Sequence, residues 1–367
     1  MENMEIDQFH NFYKGKTILV TGHTGFKGSW LCIWLNELGA KVVGYGLNPK
    51  TNEDNFVVTD LKNKIIDVRG DIRNENKLFQ VFNTYKPEIV FHLAAQPLVR
   101  LSYRKPKETY EVNVIGTLNV LECIRKCDYT KVGIMITTDK CYENKEQIWG
   151  YRENDPMGGY DPYSSSKGCC ELLIAAYRNS FMNPKDYETH GKSIASVRAG
   201  NVIGGGDWSK DRIIPDCIRS LIKGEDIKIR NPKAVRPWQH VLEPIYGYMV
   251  LAKKMYEDGV KYASGWNFGP MEDSIITVKD IVNIIINKWG SGKIISLSNE
   301  TDFYEANFLR LDCTKSKLLL GWNPKLSIEE TLSYTIEWYE NFYNNNFHNN
   351  DFYESCTEQI GKYIKLF

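Results

Sequence analysis

Gly22, Gly25 and Gly28, each separated by two residues, constrain the fold more than any other stretch. They follow a short apolar, β-rich run from Thr17 to Val20. They open a helical pattern through Trp30, Leu31, Ile33, Trp34, Leu35 and Leu38. Gly39 stands where a left-handed C-cap is expected, and Lys41 to Tyr45 reads as the next strand. Strand, glycine turn, helix and strand in that order is the context of a dinucleotide-binding βαβ unit. Glycines let the backbone turn sharply and approach a pyrophosphate, and the helix N-terminus offers unpaired N–H groups to the anion.

More strands follow at regular intervals: Lys64 to Val68, Ile89 to Leu93, Lys131 to Ile136 and Ser193 to Arg198. The run at Ile89 is apolar on both faces, as a central parallel strand should be. The alternation predicts an α/β chain: a Rossmann-type doubly wound parallel sheet with a smaller C-terminal α/β substrate-binding domain. The expected boundaries are 14–200 plus about 236–262 for the dinucleotide domain, with 201–235 and 263–340 for the smaller one. Residues 341–367 read as an Asn-rich linker and a tail without a motif. The segments Asn113 to Lys126 and Ser164 to Arg178 are expected to be long helices. His92 reads as a packed strand residue and His240 as structural. The end of the second strand, Gly44 to Pro49, carries no acid for a ribose 2′-OH. Lys50 is the only nearby cation and Asn48 a neutral ribose partner, which favours NAD over NADP.

Tyr163 and Lys167 lie four residues apart, on one face of a helix. A lysine held beside a phenol favours the phenolate, so this tyrosine is expected to titrate closer to neutrality and to accept a proton from an alcohol. Thr137, Thr138, Asp139 and Lys140 follow the fifth strand directly. Ligands of open α/β sheets bind outside the carboxyl ends of the strands, so a hydroxyl, a carboxyl and an amine point towards the same crevice as Tyr163.

Composition excludes several alternatives. The 367 residues carry a net charge of zero, without the basic excess of a nucleic-acid binder. No apolar run reaches the roughly 18 residues needed to cross a bilayer. The first ten residues carry Glu2, Glu5 and Asp7 and lack the pattern of a signal peptide, so a cytoplasmic location is expected. The nine cysteines are scattered without a CxxC pair, and no metal site is expected. Cys141, beside charged residues, is the one thiol that stands out.

The glycine spacing resembles the short-chain dehydrogenase/reductase superfamily, in its extended, nucleotide-sugar-modifying branch. Thr138, Asp139, Lys140, Cys141 and Tyr142, with the blocks 149–168, 198–208 and 236–244, look like the CDP-glucose 4,6-dehydratases within that branch. The likeness runs from about Lys14 to about Tyr334. It implies an enzyme that binds NAD through Gly22, Gly25, Phe26, Lys27, Gly28, Asp71, Ile72, Leu93, Ala94, Ala95, Gln96, Asn113, Thr137, Tyr163 and Lys167. It implies CDP-glucose as substrate, with contacts from Gln96, Thr138, Asn201, Arg212, Arg236 and Tyr304. The implied catalytic set is Thr138, Asp139, Lys140, Tyr163 and Lys167, with Asp139 the candidate acid and Lys140 either the base at C5 or a cation that stabilises the enolate while another group or water takes the proton. A homodimer paired through two long helices and a place in deoxysugar and surface-polysaccharide synthesis are also implied. The rival readings are an NAD-dependent nucleotide-sugar 4-epimerase, a 4,6-dehydratase of another nucleotide hexose and a non-catalytic NAD-binding protein.

Overall fold

A computed structural model describes residues 9, 11–296, 308–344 and 352–367. Its centre is a seven-stranded sheet in which every pair is parallel. The strands are β1 (Thr17–Thr21), β2 (Lys41–Gly46), β3 (Ile66–Arg69), β4 (Ile89–His92), β5 (Val132–Ile136), β6 (Ser193–Ala199) and β7 (Gly265–Phe268), in the order β7-β6-β5-β4-β1-β2-β3. The order reverses between β1 and β4, and a crevice forms at such a switch point.

Alternate residues of each strand feed opposite faces. Ile18, Val20, Ile89, Phe91 and Ile134 join a core with helix α1 (Phe26–Glu37). Leu19, Val43, Val90 and Met135 pack on the other face beneath α2 (Glu75–Tyr85), α3 (Gly116–Lys126) and α4 (Pro162–Ser180). The smaller unit holds α5 (Ile213–Lys223), two short strand pairs and, beyond α6 (Leu242–Glu257), helix α7 (Val278–Trp289). Helix α6 returns to the first face of the main sheet, where Ile245, Met249 and Ala252 join its core.

Three expectations are corrected. Gly265–Phe268, assigned above to the smaller domain, is the edge strand of the main sheet. It pairs with β6, and Trp266, Asn267 and Phe268 are buried there. The helix expected from Asn113 begins earlier, at Pro106, whose ring suits a first helical turn. A π-helical turn at Glu111–Ile115 then leads into α3. The Asn-rich residues 345–351 lie outside the described set, and the tail read as without a motif carries a helix, α9 (Phe352–Ile364), after α8 (Ile328–Asn344).

Helix α9 is amphipathic. Tyr353, Cys356, Ile360 and Tyr363 are buried against the dinucleotide domain. The Tyr353 hydroxyl donates to Glu37 Oε1 at 2.7 Å, and Tyr363 donates to Glu243 Oε2 at 2.8 Å. The other Glu243 oxygen accepts the backbone N–H groups of Lys325 and Leu326, both at 2.7 Å. This one buried carboxylate therefore joins α6, the chain before α8, and α9. Tyr363→Phe removes one of its donors, and we expect a loss of about 1–2 kcal/mol in urea denaturation. An unchanged midpoint would show that α9 is not anchored through Glu243.

Candidate active site

The crevice at the carboxyl ends of β1, β4, β5 and β6 opens into a cavity of about 340 Å³ shared with the smaller unit. Lys27, Leu93, Ala95, Thr137, Thr138, Asp139, Lys140, Tyr163, Lys167, Asn201, Arg212 and Arg236 all line it. Twelve residues from distant parts of the sequence that were singled out above thus meet in one place. Tyr304 lies outside the described residues.

The glycine turn is built for close approach. Gly22 has φ +74°, and a Cβ there would come within 2.7 Å of the Ala94 nitrogen. A Cβ at Gly28 would overlap the Gly22 carbonyl, so the first turn of α1 sits directly on the loop. Gly25 caps α1 without a side-chain acceptor, and no acid occupies its first turn. The N–H groups there are available to an anion, which fits a dinucleotide pyrophosphate. Lys27 extends from this turn into the cavity. Burial, then the charges of Arg212 and Lys167, bring its pKa down to about 8 against the opposing pull of Asp139 and Asp207.

Helix α4 is fixed at its start by Asp161, which accepts the Ser164 N–H at 3.0 Å and the Ser164 hydroxyl at 2.5 Å. Tyr163 and Lys167 are both buried on its inner face. The Lys167 ammonium donates to the Ile136 carbonyl at 3.1 Å, at the very end of β5. The Tyr163 phenol is raised rather than lowered as its spacing from Lys167 implied. Burial pushes the Tyr163 phenol up, a hydrogen bond with Thr138 pulls it down, and Asp139 pushes it up again. Burial also lowers Lys167.

Thr138 donates to Asp139 Oδ1 at 3.0 Å. The Asp139 carboxylate is buried and lies against Gly200, where any Cβ would overlap it. Neighbouring Asp and Lys residues favour an ion pair, yet none joins Asp139 to Lys140 among the described residues. Cys141, the thiol that stood out, is fully buried and pushed well up by burial, so it is no nucleophile.

Several implied contacts have other work in the structure. The Gln96 amide donates to Thr109 Oγ1 at 2.9 Å and its oxygen accepts the Leu98 N–H at 2.7 Å. Asn113 accepts the Gln96 N–H at 2.8 Å and donates to the Gln96 carbonyl at 3.1 Å and to Ser166 at 2.8 Å. Asn113 thereby clips the loop after β4 to α4, while the Gln96 side chain ties that loop to Thr109. The Asp71 carboxylate is held by Arg73, which lowers its pKa, while Ile72 is packed under Gly116. His92 bridges Thr21 at 2.7 Å and Thr117 at 3.0 Å; burial and then Lys167 bring it to about 3, so it stays neutral in the core.

Two supporting features escaped the sequence reading. Glu171, one turn beyond Lys167, is buried and paired with Arg198 of β6 at 2.7 Å. It also accepts from Thr137 and, at 2.6 Å, from Ser196. A single acid in an apolar helix and a single arginine in an apolar strand were the available signal. Second, Asp207 holds Arg212 at 2.7 Å, and its loop is anchored by Trp30 donating to Gly205 O at 2.9 Å and Tyr339 donating to Asp207 O at 2.6 Å.

Gly200→Ala should displace the Asp139 carboxylate. A shift of about 1 Å in a reacting group costs on the order of a hundredfold in rate, so kcat should fall by about that factor. Nucleotide-sugar binding should persist. Full turnover by this variant would remove the observed Asp139 position from the chemistry.

The family model for GDP-mannose 4,6 dehydratase matches residues 19–335. The chain is 52% identical over 330 residues to the CDP-glucose 4,6-dehydratase of Salmonella typhimurium, covering 90% of this chain and 92% of that one. It is 27% identical over 345 residues to the dTDP-D-glucose 4,6-dehydratase of Bos taurus, covering 90% of each chain. Among solved structures, the dTDP-glucose 4,6-dehydratase of Bacillus anthracis in complex with NAD superposes with a TM-score of 0.74 at 23% identity, over 89% of this chain and 97% of that one. The UDP-glucose 4-epimerase of Thermotoga maritima with UDP-glucose gives 0.75 at 24% identity, over 89% and 99%. These two share the fold. The family match over most of the chain, on top of the geometry of the cleft, shows that this protein belongs to the GDP-mannose 4,6 dehydratase family.

Proposed function

We propose that this chain converts CDP-glucose to CDP-4-keto-6-deoxy-glucose and water. The observation that carries the reading is Asp139 and Lys140, adjacent yet unpaired, in one cavity with Tyr163 and Lys167. A 4-epimerase needs the Tyr163 and Lys167 pair but has no use for an acid and a base at C5 and C6. The CDP-hexose is favoured by the relative at 52% identity.

When bound, NAD supplies the oxidised nicotinamide that takes hydride from C4 and, once reduced, returns it to C6. Tyr163 takes the O4 proton. Burial opposes ionisation of the phenol, and among the charges that act on it Arg212 favours the phenolate, with Lys167 one turn away on the same helix. Thr138 hydrogen-bonds the sugar oxygen at C4. The C4 ketone acidifies the C5 hydrogen, Lys140 removes it, and Asp139 protonates the departing 6-OH. Arg212 and Arg236 hold the diphosphate, for which a planar guanidinium pairs oxygens well. Asn201, at φ +35°, lines the same cavity and is the further diphosphate contact. A proton is restored at C5 as C6 is reduced, and no net oxidant is consumed.

Mass spectrometry of CDP-glucose incubated with the protein and NAD in deuterated water tests this. The product should be lighter by one water and carry one solvent deuterium at C5. An unchanged mass without deuterium would overturn the dehydratase reading. With Lys140→Met, NADH and the C4 ketone should form while water loss stalls; normal turnover would remove Lys140 as the base.

We also infer that α3 and α4 pair with a second copy. Leu172 of α4 and Ile115 before α3 are exposed at 63% and 46%, which suits a covered face. Sedimentation equilibrium should give twice the chain mass, and a monomer would refute it.

A further inference from the structure

Part of the cavity wall has no task in the proposed chemistry. Asp211, just before α5, lines it, and so does Arg230, which follows the short strand Ile227–Ile229 of the smaller unit. The two side chains pair at 2.9 Å. Arg100, from the short helix Val99–Arg104 after β4, comes within 3.9 Å of the same Asp211 oxygen. The carboxylate is thus held between the dinucleotide domain and the smaller unit. Its neighbour Arg212 is engaged elsewhere, with Asp207 at 2.7 Å. Asp211 itself has φ +63°, a backbone state that is costly for a non-glycine residue and that clusters at functional sites.

This pair is not closed on itself. Both contacts to Asp211 fall on Oδ1, and Arg230 uses one of its five N–H donors, on Nη1. Among the described residues, Asp211 Oδ2 and the other Arg230 donors carry no hydrogen bond. The two side chains are 39% and 33% exposed, so these groups are open to a ligand. An exposed ion pair adds little to stability. What it offers the cavity is a fixed order of groups, an acceptor beside a fork of donors. Ile214 and Pro215 of α5, Ile229 and Val278 line the same cavity and give a flat ring an apolar surface.

Cytosine presents the N4 amino donor and then the N3 and O2 acceptors along one edge. A carboxylate accepts from N4, and a guanidinium donates to N3 and O2. Uracil carries a carbonyl in place of N4 and an N–H in place of the N3 acceptor. In the same position its carbonyl meets the carboxylate and its N–H meets the guanidinium; shifted by one place, it keeps two of the three bonds. We propose that Asp211 and Arg230 read the base of the nucleotide sugar and select cytosine over uracil. This assignment rests on the CDP-hexose reading of the cleft, and names the residues that would make it.

CDP and UDP differ only in that base edge. Their binding to the full chain with NAD⁺ present, by isothermal titration calorimetry, therefore tests the proposal apart from turnover. CDP should bind at least about tenfold more tightly than UDP, the factor that one good pair of base contacts supplies. Asp211→Asn exchanges the acceptor for an amide that also donates to a uracil carbonyl, and should cut the ratio by about tenfold. Arg230→Gln should weaken CDP by about tenfold and UDP less, and it decides the matter if Asp211→Asn fails to fold. Equal weakening of both nucleotides by these variants overturns the proposal, because the pair would then merely brace the cleft. Equal binding of CDP and UDP by the unaltered chain also overturns it, while continued dehydration of CDP-glucose would leave the proposed reaction standing. Tighter binding of UDP, or binding of neither nucleotide, overturns this inference and the CDP-hexose reading together.

Discussion

The buried ion pair between Glu171 and Arg198 is the constraint on which the site depends. Taking two charges out of water costs about as much as their attraction returns, so such a pair contributes little net stability. Removing one partner, by contrast, strands a buried charge at a cost of about 3–5 kcal/mol. The pair is fully bonded here. Glu171 accepts from Thr137, Ser196 and both forks of Arg198, and Arg198 also donates to the Tyr142 hydroxyl at 2.5 Å and the Glu153 carbonyl at 3.0 Å. Burial pushes Glu171 up, but Arg198 and the Ser196 and Thr137 hydroxyls together hold it below the usual carboxylate value, so the carboxylate stays ionised. Its consequence is geometric. One cluster locks α4, which carries Tyr163 and Lys167, to the strands whose ends carry Thr137, Thr138 and Asp139.

A second set of contacts sets the opposite wall of the cleft. The loop Gly204 to Asp207 lies under Trp30, Trp338 and Tyr339, too close for side chains at Gly205. Asn55 packs on Gly206 and donates to Ser29 in α1 at 3.0 Å, and Cys356 of α9 donates to Asn55 at 3.4 Å. The phosphate-facing helix, the loop that holds Arg212, and the C-terminal helix are thus one packed body. The cations of the smaller unit reach the cleft from a rigid base.

Much of this was legible in the sequence. The glycine spacing, the flanking apolar runs and the Tyr163–Lys167 pair are local patterns, and local patterns fix strand, turn and helix directly. The strand at Gly265–Phe268 was misplaced because four residues carry no information about which sheet edge they complete. Helix α9 was missed although Tyr353, Cys356, Ile360 and Tyr363 recur at helical spacing, because the preceding Asn-rich run dominated the composition. Gln96 and Asn113 entered as ligand contacts through the resemblance of their segments. Only the fold shows that the Asn113 side chain also joins the Gln96 backbone to Ser166 of α4.

The sequence by itself determined the parallel sheet, the phosphate-facing turn and the residue types of the chemistry, since each rests on spacing within a few residues. Tertiary structure alone decided their electrostatics. Whether a phenol ionises and whether Asp139 and Lys140 pair depend on burial and on charges brought from far along the chain. Tyr163 shows the difference. Four residues of spacing predicted a lowered pKa, but the desolvation that opposes it comes from packing, and packing exists only once the chain has folded.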